Sequence, residues 1–175
     1  MHIFKPHWMV ERIYNLSTDN LKSLGIKAVL TDLDNTLIAW DNPDGTPELH
    51  QWIEELKQAQ IEVIVVSNNS NERVAKAVEG FGLKYQARAL KPLTVGIMRA
   101  LRNNHLTKQE VIMVGDQYIT DMVASNLSGV RGVLVKPLVT TDAWNTKINR
   151  WFEKFIKRSL RKKYPDMEWK RELDK

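Results

Sequence analysis

The chain has 175 residues, a formal net charge of +5, 43% hydrophobic residues and no cysteine. This length and composition suit one domain with a single core, and the lack of cysteine excludes disulfides and thiolate metal sites. No stretch approaches the roughly 18 uninterrupted apolar residues of a membrane-spanning helix, and residues 1–16 lack a secretory signal pattern. We therefore expect a cytoplasmic protein, either free in solution or peripheral on the inner face of the membrane.

Hydrophobic periodicity predicts a helical lead-in over residues 1–26, followed by alternating strands and helices. The lead-in has helix signals at 9–15 and 19–24. The predicted strands are 27–33, 61–66, 85–89, 111–114 and 132–135, and the predicted helices between them are 47–60, 72–81, 93–103 and 120–127. Near-continuous apolar strands separated by helices indicate a parallel sheet covered on both faces. Ligands of such α/β folds bind at the carboxyl ends of the strands.

The first strand ends in two aspartates, in the sequence AVLTDLDNT at residues 28–36. Residues two apart in a strand point the same way, so Asp32 and Asp34 can face one site. Two carboxylates there need a cation or protons to offset their repulsion. An aspartate beside a hard cation is a candidate nucleophile for phosphoryl transfer. A helix N-cap or an Asx turn closing the strand is the structural alternative.

Three further polar segments accompany apolar runs, and each alone has a structural explanation. Ser67-Asn68-Asn69 reads as a strand-terminating turn, and Lys91 reads as a surface lysine. Pro92 favours a first helical turn, so we expect Lys91 at a helix start. In GDQYITD, at residues 115–121, the aspartates also suit helix caps. All four segments in this order at strand ends favour a single catalytic site over four unrelated turns.

These motifs resemble those of the haloacid dehalogenase (HAD) superfamily of aspartate-nucleophile phosphohydrolases: DxDxT, a Ser or Thr, a Lys, and GDxxxTD. The versions DLDNTL, VVSNN, LKP and GDQYITD are similar to those of subfamily IIIA, in the YqeG-like group. Relatives in that group include phosphatases that convert phosphatidylglycerophosphate to phosphatidylglycerol. The resemblance covers residues 4–140 and implies an α/β, HAD-type Rossmann-like three-layer sandwich.

The resemblance and the residue types together imply a Mg2+-dependent phosphomonoester hydrolase. Asp32 would attack phosphorus and become an aspartyl phosphate, and Asp34 would protonate the leaving alkoxide and later deprotonate water. The candidate phosphate-binding residues are Ser67, Asn68 and Lys91. The candidate metal ligands are Asp32, Asp34 through its backbone carbonyl, Asp116 and Asp121, with one of the last two acting through water.

The segments between the first three motifs are too short for the cap domain that shields many HAD active sites. Only residues 38–46, with the Asp44-Gly45 turn signal, have room for a small flap. Trp40 on this flap is expected to pack against the protein's own loop rather than contact substrate. An open site favours a substrate too large to enclose, or a partner that completes the pocket, such as a second copy of the chain.

The C-terminal part, residues 141–175, is expected to form a basic helix and tail on the phosphatase domain 1–140, either within that domain or appended to it. From Lys147 onward there are 11 basic residues against five acidic ones. Apolar residues recur there at helical spacing: Ile148, Trp151, Phe152, Phe155, Ile156 and Leu160. Such a helix can lie on an anionic membrane through 147–163, or pack its stripe on the domain or a second copy. Both interpretations stay open.

These observations predict a phosphatase, with phosphatidylglycerophosphate as one candidate substrate. The alternative is a soluble substrate: a nucleotide, a sugar phosphate or a phosphoprotein. An RNA- or ribosome-binding role for the basic tail is a third interpretation. No recognisable nucleic-acid motif supports it, and we expect no nucleic-acid partner.

Overall fold

Six parallel strands form one sheet, in the order Trp8–Val10, Arg131–Val135, Val111–Gly115, Ala28–Thr31, Glu62–Val66 and Lys84–Gln86. The computed structural model describes residues 1–139 and 147–174. The strands are β1 Trp8–Val10, β2 Ala28–Thr31, β3 Glu62–Val66, β4 Lys84–Gln86, β5 Val111–Gly115 and β6 Arg131–Val135. The four central strands are buried along almost their whole length, as their Val- and Ile-rich sequences require in a sheet covered on both faces.

Helices cover the two faces of the sheet. They are α1 Thr18–Ser23, α2 Pro47–Gln58, α3 Asn71–Val78, α4 Val95–Asn103, α5 Val123–Ser128 and α6 Lys147–Lys163. Successive strand residues alternate between the faces. Val29 therefore packs in the cluster that contains α2 and α3, and Leu30 packs in the cluster that contains α4 and α5. The predicted three-layer α/β fold is confirmed.

The predicted helix at 9–15 is wrong. Trp8–Val10 is the edge strand β1, which pairs with β6 in the register Trp8 to Val133, and only Ile13–Asn15 forms a short 3-10 helix. A short apolar run fits a strand or a buried helix equally well, and the free edge of β6 decides the outcome. Lys91 is also not at a helix start, because residues 91–94 form turns and bends before α4 begins at Val95.

The segment after α6 returns to β1 and covers its open edge. The backbone N–H of Lys170 donates to the carbonyl of Met9 at 2.8 Å, and the Trp8 indole N–H donates to the backbone carbonyl of Asp174 at 3.0 Å. Leu173 is buried in the larger core cluster. An edge strand covered in this way offers no template for pairing with another chain.

Part of the predicted tail, residues 141–146 and 175, lies outside the described residues, as do the side chains of 147–150, including that of Ile148. Within the ranges 1–139 and 147–174, no helix combines the length and the apolar character needed to cross a lipid bilayer.

Candidate active site

The four motifs meet at the carboxyl edge of the sheet because β2 lies between β3 and β5. The backbone N–H of Asp32 donates to the carbonyl of Val114 at 2.9 Å, so Asp32 extends the pairing of β2 with β5 by one residue. Gly115 and Asp116 follow Val114 directly. Ser67 extends β3 in the same way, since its N–H donates to the carbonyl of Gln86 at 3.0 Å.

Three aspartates form an acidic cluster at this edge. One carboxylate oxygen from each of Asp32, Asp116 and Asp121 lies within 4.8 Å of the other two. Asp121 reaches the cluster from the π-helical turn Tyr118–Met122, which leads into α5. Gly115 makes room for it, because a Cβ atom at this glycine would lie only 2.2 Å from Cγ of Asp121.

Lys91 neutralises part of this charge. Its Nζ atom donates to Oδ1 of Asp32 at 2.8 Å and to Oδ1 of Asp121 at 2.7 Å. Burial alone would lower the pKa of Lys91, but the charges of Asp121 and Asp32 outweigh burial and raise the pKa above its ordinary value. Lys91 therefore carries a fixed positive charge inside the site.

One lysine does not balance three carboxylates. Burial, followed by the charges of Asp121 and Asp32, raises the pKa of Asp116, and burial also raises the pKa of Asp121. Thr36 helps to hold the arrangement, since its Oγ1 donates to Oδ1 of Asp116 at 3.0 Å. A cluster of carboxylate oxygens, with neither nitrogen nor sulfur in the donor set, matches the preference of Mg2+. The residues present thus fit a magnesium ion.

The carboxylate of Asp34 has different partners. Its Oδ2 accepts from Nδ2 of Asn69 at 2.7 Å, and its Oδ1 pairs with Nη2 of Arg73 on α3 at 3.1 Å. Asn35, in the left-handed region with φ 59°, follows Asp34 as the chain turns away from the strand. The structure therefore brings Asp32, Asp116 and Asp121 into one cluster and directs the side chain of Asp34 to Asn69 and Arg73.

Ser67 and Asn68 follow β3, beside the acidic cluster. Ser67 is buried, and its Oγ accepts from the backbone N–H and from Nδ2 of Asn69 at 3.2 and 3.1 Å. The Asn68 side chain donates to the carbonyl of Lys91 at 2.8 Å and accepts from its N–H at 2.7 Å. The amide of Asn68 thus positions the Lys91 backbone, and phosphate contact by Asn68 would fall to its own backbone N–H.

Three side chains in this site were not predicted: Thr36, Asn69 and Arg73. Thr36 and Asn69 stand inside the quoted motifs, so their polar character was a usable signal. Arg73 carries no such signal, because its partner Asp34 is 39 positions away and the pairing depends on how α3 packs.

Residues 38–46 follow the first motif, between β2 and α2. This segment forms tight turns, with a backbone bridge between Ala39 and Asn42, and Gly45 packs beside Phe81. Trp40 has 64% of its surface exposed, which contradicts the expectation that it packs on its own loop. The described chain between Asp34 and Lys91 contains α2, α3 and single strands, with no inserted cap domain.

Comparison with known proteins places this chain among phosphatases. A family model described as mitochondrial PGP phosphatase matches residues 1–140. The chain is 38% identical over 160 residues to the probable phosphatase YqeG of Bacillus subtilis, covering 91% of this chain and 93% of that protein. It is 31% identical over 166 residues to phosphatidylglycerophosphate phosphatase 1, chloroplastic/mitochondrial, of Arabidopsis thaliana, covering 90% of this chain and 45% of that protein.

A solved structure agrees in fold. CbbY from Rhodobacter sphaeroides, in complex with phosphate, aligns with a TM-score of 0.52 and 15% sequence identity, over 68% of this chain and 90% of that one. At that identity the agreement concerns the fold of the sheet and its helices.

Proposed function

We propose that this chain works through an aspartyl phosphate on Asp32 with Mg2+. The chain belongs to the mitochondrial PGP phosphatase family, within the HAD superfamily, and is a phosphoric monoester hydrolase. The observation that carries this proposal is the double hydrogen bond from Lys91 to Asp32 and Asp121 within the three-carboxylate cluster. The buried ammonium of Lys91 beside the carboxylate at the end of β2 fixes the orientation of that carboxylate, as a nucleophile requires.

In the first step, Asp32 attacks the phosphorus of a phosphomonoester. Its Oδ1 is held by Lys91, so Oδ2 is the attacking oxygen. The new bond joins Oδ2 to phosphorus as the bond from phosphorus to the leaving alkoxide breaks. Lys91 and the Ser67 hydroxyl would stabilise the charge on the equatorial phosphoryl oxygens.

Asp34 acts on the other side of the transferred group. Its carboxylic acid gives a proton to the departing alkoxide, so that an alcohol leaves rather than an alkoxide. Asn69 and Arg73 hold the Asp34 side chain through one oxygen each, which directs it without a link to the acidic cluster. Arg73 is thus a positioning residue for the acid.

In the second step a water molecule attacks phosphorus, and Asp34 accepts its proton. The bond between phosphorus and Oδ2 of Asp32 breaks, which releases inorganic phosphate and restores the carboxylate. Asp32, Asp116, Asp121 and the backbone carbonyl of Asp34 would hold Mg2+, which when bound neutralises charge on the carboxylates and on the phosphoryl oxygens.

We propose a phosphatidylglycerophosphate-type lipid as the substrate. The family model and the Arabidopsis relative carry this activity in their names. The lack of a cap domain in the described chain between Asp34 and Lys91 supports the proposal, since a phosphate on a lipid headgroup at a bilayer surface need not be enclosed by a cap.

Asp32→Asn tests the mechanism, because it removes the nucleophile at nearly constant volume. We expect turnover of p-nitrophenyl phosphate to be lost while the melting temperature stays near that of the wild type, and chelation of Mg2+ to have the same effect on activity. Asp19→Asn is the matched control, since Asp19 lies exposed on α1, away from the site. Clear activity in Asp32→Asn would refute the aspartyl-phosphate route.

A substrate panel tests the lipid assignment. Phosphate release from phosphatidylglycerophosphate in mixed micelles is compared with release from glycerol 3-phosphate, a nucleotide and a sugar phosphate. A higher kcat/KM for the lipid supports the proposal, and a higher value for a soluble ester replaces it with the soluble-substrate alternative.

A further inference from the structure

Helix α6 exposes three large aromatic side chains in mutual contact. Trp151, Phe152 and Phe155 have 65%, 47% and 61% of their surfaces exposed. The ring centroid of Trp151 lies 5.1 Å from that of Phe152 and 6.5 Å from that of Phe155. We call these three residues the aromatic face. A contiguous apolar patch of this kind on a protein surface marks an interaction site.

The aromatic face is not the side by which α6 packs on the domain. Ile156 and Leu160 perform that role, and both are buried. They share a cluster with Met9, Tyr118, Met122 and Leu134. The apolar stripe read from the sequence is therefore divided between two surfaces: Ile156 and Leu160 belong to the core, and the aromatic face points outward.

Glu153 links α6 to the edge of the sheet that carries the active site. Its Oε1 accepts from the backbone N–H of Ile119 at 3.1 Å. Ile119 lies in the same π-helical turn as Asp121, two positions before it. The first turns of α6 thus contact the segment that carries a member of the acidic cluster, at the carboxyl edge of the sheet.

Other exposed apolar side chains surround the same edge. Leu90 and Leu93, which flank Lys91 in the chain, are 54% and 57% exposed. Trp40, on the turn segment after the first motif, is 64% exposed. The segments that carry these side chains follow the carboxyl ends of β2 and β4, as the turn contacted by α6 follows the carboxyl end of β5.

Basic residues continue the aromatic face along α6. Arg158 and Lys162 lie three and seven positions after Phe155, which places them on the same side of the helix, and both are exposed. Lys154 is exposed one turn before Arg158. Aromatic rings with flanking Lys and Arg are the residues that anchor helices at the interface of anionic bilayers.

We propose that the aromatic face of α6 inserts into the headgroup region of an anionic phospholipid bilayer and holds the active site towards the membrane. The charges favour this occupant over a second copy of the chain, because a symmetric pairing of the two α6 helices would bring Lys154, Arg158 and Lys162 of each copy together. The inference goes beyond the phosphatase function, and it is tested by binding to vesicles, with turnover used only as a control for an intact site.

The test uses the full chain and vesicles of phosphatidylcholine with or without phosphatidylglycerol, neither of which carries a phosphomonoester. We expect co-sedimentation with the anionic vesicles at low salt, and at least about tenfold weaker binding when Trp151, Phe152 and Phe155 are changed to Ser. Changing Lys154, Arg158 and Lys162 to Gln should weaken binding at low salt by at least about tenfold and reduce its salt dependence. Leu127→Ser is the matched control, since Leu127 is 54% exposed on α5, outside α6.

Trp151→Phe tests insertion directly, because it removes the tryptophan fluorophore from the aromatic face and keeps an aromatic ring there. This variant should still sediment with anionic vesicles, but the blue shift in its tryptophan fluorescence on binding should be smaller than that of the wild type. Turnover of p-nitrophenyl phosphate should be unchanged in the Ser variants, which shows that the site is intact.

Three results would overturn the proposal. They are a wild-type protein that stays in the supernatant with anionic vesicles at low salt, a fluorescence shift of the same size in Trp151→Phe as in the wild type, and a concentration-dependent dimer that the Ser variants dissociate. Failure of the enzyme on a lipid phosphate would refute the substrate assignment and leave vesicle binding as a separate result.

Discussion

The ammonium of Lys91 lies 2.7 Å from Oδ1 of Asp121, and the two side chains are 2% and 0% exposed. Removing one partner of such a buried pair leaves an uncompensated charge, at a cost of about 3–5 kcal/mol. In the presence of a metal chelator, we expect Lys91→Met to lower the free energy of unfolding by about 3–5 kcal/mol, as measured by denaturant titration. Excess Mg2+ should restore more stability to the variant than it adds to the wild type. Equal stability of the two proteins in chelator would contradict the buried ion pair.

Asp34→Asn should slow the enzyme according to the leaving group. An alkoxide leaves poorly without a proton, so kcat for an alkyl phosphate should fall by about 10²–10⁴-fold. An activated aryl phosphate needs little protonation and should lose much less. The measurement is a series of phosphate esters with leaving groups of graded pKa. A uniform loss across the series would remove Asp34 from the role of acid.

Gly115→Ala should disturb the acidic cluster through one methyl group. The added Cβ would lie 2.2 Å from Cγ and 2.3 Å from Oδ2 of Asp121, so the carboxylate must move. We expect weaker Mg2+ activation and a kcat lower by at least about tenfold, since misplacing a group in the site costs up to about 10²-fold. Gly80→Ala is the matched control, because a Cβ at Gly80 meets nothing within 4 Å. Equal activity of both variants would show that the close approach is unimportant.

The stability of the metal-free protein should depend on pH through Asp116 and Asp121. Burial raises the folded-state pKa of both above the ordinary 3.8, and that of Asp121 to about 6. Their contribution to stability is therefore full below 3.8 and is lost as the pH rises through the folded-state values. Relative to Asp116→Asn, wild-type protein in chelator should lose stability over this window.

Mg2+ needs the ionised carboxylates, so its stabilising effect should grow over the same pH range. Denaturant titrations with chelator or Mg2+, at several pH values, measure both trends. Stabilisation by Mg2+ that stays constant with pH would contradict the assignment of these two aspartates as ligands.

The two sides of α6 should respond differently to truncation. Leu160 is fully buried, so Leu160→Ala should cost about 2–5 kcal/mol in the free energy of unfolding. Phe155 is 61% exposed, and Phe155→Ala should change it by about 0.5 kcal/mol or less. Thermal or denaturant unfolding compares them. A large loss for Phe155→Ala would mean that the aromatic face packs on the protein itself.

Much of the fold and of the acidic site followed from the sequence, because local patterns encode them. In runs such as 61–66 the high content of β-branched residues favours a buried strand over a helix, and polar residues at the ends of such runs mark the carboxyl edge of a parallel sheet. Asp32 and Asp116 could be named because each stands within two positions of the end of such a run. Lys91 and Asp121 could be named because they complete motifs that resemble those of the HAD superfamily.

Tertiary structure decided what depends on distant partners. Trp8–Val10 became a strand because β6 offered an unpaired edge, and Arg73 reached Asp34 because α3 packs beside the end of β2. The apolar stripe of α6 has one helical period in the sequence, yet Leu160 lies in the core and Phe155 at the surface. Periodicity shows which residues share a side of a helix, but only packing determines which part of that side meets the domain.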